Sequence, residues 1–346
     1  MEKLRVLGLC GGNGVSLYPF LGDDKFRVVG NIEPRSVFHS PGNKQWKANF
    51  GDIPLVKSLE QYSKVGVKPD IIVSHPDCGH SSIMTYNKMK AYGDPRENAS
   101  VRMFFQGIKD LKPKIWLMEN LENMLKVITL DDIKRAFPKY DIHSYVGSVM
   151  LWGNSQKCRK RLVLVGIRKR YRSLVDIPVV YQVSKPRKNY QINGDIANLQ
   201  SLPEIGHYRE PLSKEVCLWL GEDKVTLGKA RKMWRTEFKD RYTWPGHYKA
   251  HIQPAVYRQV KKSYPRTVRK GDRQFNWLGR HLSAREMARI QGIPDDFILY
   301  YDESKPVYWV NKGRATVAKC PPMEIFTWFK EVIRKDFKIW CNKGLK

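Results

Sequence analysis

The chain has 346 residues, a hydrophobic share of 42% and a formal charge of +28. That length and apolar content allow one large domain or two ordinary ones with packed cores. The charge lies far above the roughly 2 to 8 units that solubility alone asks of a small domain, so a polyanionic partner is expected, nucleic acid first. A membrane surface ranks second, since no long basic amphipathic helix stands out. No run of about 18 apolar residues offers a membrane span, and the opening Met1-Glu2-Lys3-Leu4-Arg5 has no apolar signal core. The cysteines, at 10, 78, 158, 217, 320 and 341, form no Cys-x-x-Cys pair. Their spacing argues against zinc and for a reducing, cytoplasmic compartment.

In chain order, residues 4 to 17 run from an apolar strand into Leu9-Cys10-Gly11-Gly12-Asn13-Gly14 and then toward an expected helix. Glycines let a backbone approach a ligand, though a plain strand-to-helix turn would look the same. A second strand from Phe26 to Gly30 leads to Glu33, about 20 residues beyond the glycine turn, the spacing of a ribose-binding acid. The Gly-x-Gly-x-x-Gly pattern is missing, which counts against a nicotinamide enzyme.

Two short apolar runs follow, Asp70-Ile71-Ile72-Val73 and Lys114-Ile115-Trp116-Leu117. The first leads into Ser74-His75-Pro76-Asp77-Cys78, the second into Met118-Glu119-Asn120. Between them Val101, Phe104, Phe105, Ile108 and Leu111 recur at helical spacing, and Pro113 ends the helix. A strand, helix and strand in this order make a parallel pair, so Cys78 and Glu119 are expected at one sheet edge. A soft nucleophile beside a proton donor suits attack on an electron-poor carbon. The polar loop after Cys78, with Ser82 and Lys88, reads as a partner contact. Arg159 and Arg161 precede the buried run Leu162-Val163-Leu164-Val165. Their alternation puts them on one face, fitting an anionic or carbonyl-bearing ligand.

Residues 169 to 280 change character: 24 Lys and Arg stand against 10 Asp and Glu, with aromatics interleaved, as around Arg235 and Arg241. This reads as a separate, irregular basic domain suited to phosphate and base contacts. Ser283-Ala284-Arg285-Glu286 is a capping box whose helix Gly292 stops. Pro321-Pro322 then precedes an apolar helical stripe, Ile325, Phe326, Phe329, Val332 and Ile333, which needs the core of the α/β domain.

Taken in order, these pieces resemble the DNA cytosine-5 methyltransferases of bacterial or phage type. The glycine loop resembles that family's cofactor element, Glu33 its ribose-binding acid, Pro76 to Ser82 its nucleophile motif and Met118-Glu119-Asn120 its Glu-Asn element. Residues 156 to 161 resemble Gln-x-Arg-x-Arg with one extra residue, so Gln156 or Lys157 takes the Gln slot. Residues 280 to 297 are very similar to the family's late helix motif. The resemblance implies an α/β, Rossmann-like S-adenosylmethionine-dependent domain formed by 1–168 plus 281–346, with a smaller target-recognition domain at 169–280. It implies a monomer acting on double-stranded DNA without a metal.

Under that resemblance, Cys78 attacks carbon 6 of a flipped cytosine, Glu119 contacts ring nitrogen 3, and Arg161, with Arg159 beside it, holds the carbonyl. Cofactor contacts fall on Leu9, Gly11, Gly14, Glu33, Asp52 and Pro76, and DNA contacts on Ser82, Lys88, Arg235 and Arg241. Two departures stand out. Asp77 replaces the usual Pro before the nucleophile, and Arg314 or Lys319 stands where a neutral amide is expected near the transferred group. The second leaves open carboxy-S-adenosylmethionine as cofactor and a carboxymethyl product. Asp77 also supports a non-catalytic DNA-binding protein, against which stands the presence of both Cys78 and Glu119. The size of the basic insert favours duplex DNA over an RNA stem.

Overall fold

The computed structural model describes residues 2–34, 42–78, 96, 98–156, 159–180, 185–187, 257–258, 274–275, 284–299 and 316–341. They belong to two compact units. One comprises 1–154, 158–185 and 321–346, the other 155–157 and 186–320.

The first unit is built on a seven-stranded sheet. Its strands are β1 (Leu4–Leu9), β2 (Phe26–Ile32), β3 (Leu55–Val56), β4 (Ile71–Ser74), β5 (Ile115–Asn120), β6 (Tyr140–Ser148) and β7 (Lys160–Arg168). Their spatial order is β3-β2-β1-β4-β5-β7-β6. The first five strands pair in parallel, whereas β7 runs antiparallel between β5 and β6. Leu9 aligns with Ile32 on one side and Ser74 on the other, and Ser74 aligns with Met118. The carboxyl ends of β1, β2, β4 and β5 therefore lie along one edge. The strand order reverses at β1, which is where open α/β sheets bind ligands. This is the Rossmann-like architecture expected from the sequence.

The apolar runs form strands because nearly every residue in them is covered on both faces. All four residues of β4 and all six of β5 are buried, the pattern of strands sandwiched between helices. Helix α3 (Ala99–Leu111), the third after α1 (Gly42–Phe50) and α2 (Leu59–Ser63), covers one face. Asn98 caps it by accepting from the Ser100 N–H at 2.9 Å. Val101, Phe104 and Ile108 point inward, and Phe104 sets its edge against Trp116 at 5.3 Å between centroids. The helix ends at Lys112, in the left-handed region at φ 48°, just before Pro113. Helix α4 (Leu130–Ala136) and the short α5 (Lys169–Arg172) follow.

The apolar stripe near the C-terminus forms α7 (Met323–Lys335), after α6 (Ala284–Ile290) of the second unit, and it completes the first unit. It buries Ile325, Phe326, Trp328, Phe329 and Ile333. Lys330 Nζ lies 3.3 Å from Asp23 Oδ2, and Arg334 pairs with Asp23 and Asp24. Helix α8 (Phe337–Cys341) follows, and the carbonyl of its Trp340 accepts from Lys114 Nζ. No helix among the described residues is long and apolar enough to cross a membrane.

Asp70, just ahead of β4, fastens the far edge of the sheet. Its Oδ2 accepts from Arg5 N at 3.0 Å and Arg5 Nε at 2.8 Å, and Lys114 Nζ lies 3.1 Å from Oδ1. Burial alone would raise this carboxyl, but Arg5 and Lys114 hold it below the ordinary range. Its contribution is present above the unfolded carboxyl pKa and fades as pH falls through the lower folded one. Asp70→Asn should cost about 3 kcal/mol near neutral pH. In denaturant unfolding, the gap from wild type should shrink on acidification.

One local expectation fails. The glycine turn leads not into an α-helix but into turns and a short 3-10 helix at Tyr18–Phe20. Gly12 (φ 58°) and Gly14 (φ 94°) hold left-handed backbone, and Pro19 has no N–H to give. The right-handed ladder therefore has no start.

The second unit takes in 284–299, whereas 169–185 lies in the first. In α6, Arg285 is fully buried and donates to the carbonyls of Pro294 (2.9 Å) and Phe297 (2.8 Å). Gly292 ends the helix at φ 74°, with Ile293 N donating to the Ala288 carbonyl. Gln156 Nε2 donates to Gln291 Oε1 at 2.8 Å, and Gln291 Nε2 to the Val317 carbonyl. Strands β8 (Tyr257–Arg258) and β9 (Gln274–Phe275) pair in parallel.

Candidate active site

The loop after β1 is moulded on β2. Cys10, at φ 60°, donates its N–H to the Ile32 carbonyl at 2.7 Å. Asn31 lies beneath the loop, its Oδ1 accepting from Gly11 N (3.2 Å) and its Nδ2 donating to the Gly12 carbonyl (3.1 Å). A Cβ on Gly8 or Gly11 would come within 2.5 or 2.8 Å of Asn31 Oδ1, and one on Gly14 within 2.3 Å of the Phe50 ring. Those three glycines thus make room for the protein's own side chains. Gly12 is different: nothing lies within 4 Å of where its Cβ would be, and its N–H donates to Glu33 Oε2 at 2.8 Å.

Glu33 is fully buried at the end of β2. A carboxylate can accept from more than one donor. A buried carboxylate beside an open glycine, at the switch point of the sheet, fits the hydroxyl-bearing ribose of an adenosine cofactor. Leu9 belongs to the core, its carbonyl taken by the Ser74 hydroxyl. Asp52 is exposed on the turn after α1, beside Ile53, whose carbonyl accepts from Trp46 Nε1.

The ends of β4 and β5 bring the reactive groups together. Asn120 Nδ2 donates to the Pro76 carbonyl at 3.2 Å and so ties the Cys78 loop to β5. Cys78 is half-buried and Glu119 fully buried. Arg161, from the antiparallel neighbour β7, places Nε 2.7 Å from Glu119 Oε1. That contact is ionic rather than a directed hydrogen bond, and Oε1 has no hydrogen-bond partner among the described residues. Glu119 Oε2 contacts His75 Nδ1. Arg159 is almost fully buried in the same cluster.

These neighbours set the protonation states. Burial pushes the Cys78 thiol up; Glu119 and Asp77 push the same way, against Arg161 and Arg159. Burial would also raise Glu119, but His75, Arg161 and Arg159 outweigh it and hold the group below the usual carboxylate range. The resting site therefore holds a thiol beside a carboxylate. Deprotonated, that thiol is a nucleophile, and the carboxylate and Arg161 suit a polar ring with both donor and acceptor atoms.

The structure thus gathers Cys78, Glu119, Arg159 and Arg161, and sets the Gly11–Gly14 loop against Glu33. His75 is the member that sequence reasoning missed. Lys319, at the end of the helical turn 316–319, is exposed. Arg314, Ser82, Lys88, Arg235 and Arg241 lie outside the described residues, as does Ser283 of the capping box. No group of three or more His, Cys, Asp or Glu among the described residues could hold a metal.

A doubly wound sheet with a thiol and a carboxylate at its switch-point edge, next to a glycine loop and a buried acid, defines a cofactor-dependent group-transfer enzyme. The chain belongs to the C-5 cytosine-specific DNA methylase family, whose model matches residues 37–311. It is a DNA cytosine-5 methyltransferase with S-adenosylmethionine as methyl donor. It is 24% identical to the type II methyltransferase M.FnuDI of Fusobacterium nucleatum over 70% of this chain and 71% of that one. It is 23% identical to M.MthTI of Methanothermobacter thermautotrophicus over 85% and 88%. The fold is similar to that of the solved Entamoeba histolytica methyltransferase EhMeth, with a TM-score of 0.60 at 13% identity, covering 97% of this chain and 99% of that one.

Proposed function

We propose that the protein methylates carbon 5 of cytosine in duplex DNA, on a base flipped out of the stack, through a covalent bond between Cys78 and carbon 6. The observation that carries this reading is the convergence of Cys78, Glu119 and Arg161 at the adjacent ends of β4, β5 and β7. Cys78 loses its proton to solvent and its sulfur adds to carbon 6; once carbon 5 has taken the methyl group, a base removes the carbon 5 proton and the sulfur–carbon 6 bond breaks, which frees the enzyme. Glu119 holds ring nitrogen 3, and Arg161, backed by Arg159, holds the base carbonyl where charge builds up. S-adenosylmethionine, when bound, supplies an electrophilic methyl group. Glu33 and the Gly11–Gly14 loop hold its ribose end, with Pro76, Leu9 and Asp52 bordering the same edge. A cytosine inside a duplex presents neither face of its ring to a thiol, so flipping is required.

The strongly basic 169–280 segment, with Arg235 and Arg241, serves as the target-recognition domain. The loop carrying Ser82 and Lys88 touches the DNA beside the flipped base. Phosphate contacts by such a segment imply affinity that falls steeply with salt. The test is to incubate enzymatically amplified, unmodified DNA with the protein and S-adenosylmethionine. Nucleosides are then identified by mass, and modified positions are mapped at base resolution. We expect 5-methylcytosine confined to a short sequence. Product in RNA stems but none in duplex DNA would overturn the reading.

A further inference from the structure

His75 departs from a plain linker between strand and nucleophile. It is buried, at 9% exposure, and directs Nδ1 at Oε2 of a carboxylate with no exposure at all. The charged groups around the pair are Asp77 and Cys78 on its own segment and Arg159 and Arg161 from the β7 side. The arrangement answers a need of the reaction. When sulfur adds to carbon 6, an electron pair moves through the ring onto nitrogen 3, which must take up a proton. A carboxylate has none of its own to give.

We propose that His75 is a positioning residue for Glu119 and the source of that proton: Nδ1 gives a proton to the Glu119 carboxylate, and Glu119 gives one to nitrogen 3. In this step the Sγ–carbon 6 bond forms from the thiolate pair. The Nδ1–H bond breaks, an O–H bond forms and breaks on Glu119, and an N–H bond forms on the base. His75 ends neutral and Glu119 ends as a carboxylate. The proton returns by the same route when the ring recovers its carbon 4–nitrogen 3 double bond, so no further acid is consumed. The inference rests on the cytosine chemistry proposed above and adds to it the origin of the proton.

The pH dependence of single-turnover methyl transfer tests it, using amplified duplex DNA and S-adenosylmethionine. Ionisation of Cys78 makes the rate rise with pH; loss of the His75 proton makes it fall at higher pH. Wild type should therefore show a bell-shaped profile. His75→Gln keeps a hydrogen-bond donor toward Glu119 but has no titrating proton. It should lose about 100-fold in rate at the optimum, the lower range for general acid catalysis. It should also lose the falling alkaline limb, while binding DNA as wild type does. His75→Asn serves as a second variant should the first fold poorly by thermal melting. A wild-type profile with no alkaline limb overturns the proposal, as does a His75→Gln enzyme within about threefold of wild type or one that keeps the limb. Wild type that makes no modified cytosine at any pH defeats instead the underlying reading of the site.

Discussion

Cys78→Ser is expected to abolish methyl transfer, by on the order of 10⁴-fold or more, the scale seen when a covalent nucleophile is removed. A serine hydroxyl in the same half-buried place ionises far less readily than a thiol. Arg161 and Arg159 favour an anion there, but burial, Glu119 and Asp77 oppose it, and for a hydroxyl that balance cannot be won near neutral pH. Duplex DNA carrying 5-fluorocytosine gives the sharpest readout, because fluorine at carbon 5 blocks the elimination that frees the enzyme. Wild type should migrate as a denaturant-resistant protein–DNA species when S-adenosylmethionine is present, and Cys78→Ser should not. Filter binding to ordinary DNA should change little, since phosphate contacts carry most of that affinity. A trapped adduct with the serine variant would exclude Cys78 as the bonding atom.

The second large effect concerns Glu119, where stability and chemistry meet. Glu119→Ala removes the carboxylate that His75 and Arg161 share at a fully buried position. Breaking a buried pair from one side typically costs about 3 to 5 kcal/mol, so the variant should unfold at clearly lower denaturant. Glu119→Gln keeps the shape and should lose less stability, yet remain nearly inactive. The folded carboxyl lies below its ordinary pKa. Its stabilisation is therefore full above the unfolded value and is lost as pH falls through the folded one. The stability gap between wild type and Glu119→Gln should narrow in acid. A gap independent of pH would show that the charge of Glu119 contributes nothing.

Much of this site was legible because it depends on strand ends. Ile71 to Val73 and Ile115 to Leu117 are short, apolar and bounded by polar residues. Their burial on both faces follows from composition, and their parallel pairing from the helix between them. The C-terminal stripe was legible for the same reason. The glycine loop misled in two ways: φ values at Gly12 and Gly14 do not show in residue names, and Asn31, whose side chain fills the space that glycine leaves, belongs to another strand. His75 was invisible for a related reason. A lone histidine before a proline has no local pattern, and its partner stands 44 positions later, meeting it only once β4 and β5 are neighbours. The contact of Gln156 with Gln291 was equally unreadable, since 135 positions separate the two.

The return of α7 and α8 to the first unit has a consequence for how the protein is made. Asp23 waits for Lys330 and Arg334, and Lys114 for the carbonyl of Trp340, each across more than 200 residues. On the ribosome the nascent sheet emerges long before the helix that covers it, with the basic segment synthesised in between. Contacts so distant along the chain make folding slow and leave apolar surface open meanwhile. Chains interrupted before residue 323 would lack that cover, and chaperone dependence and aggregation should mark them long before any question of catalysis arises.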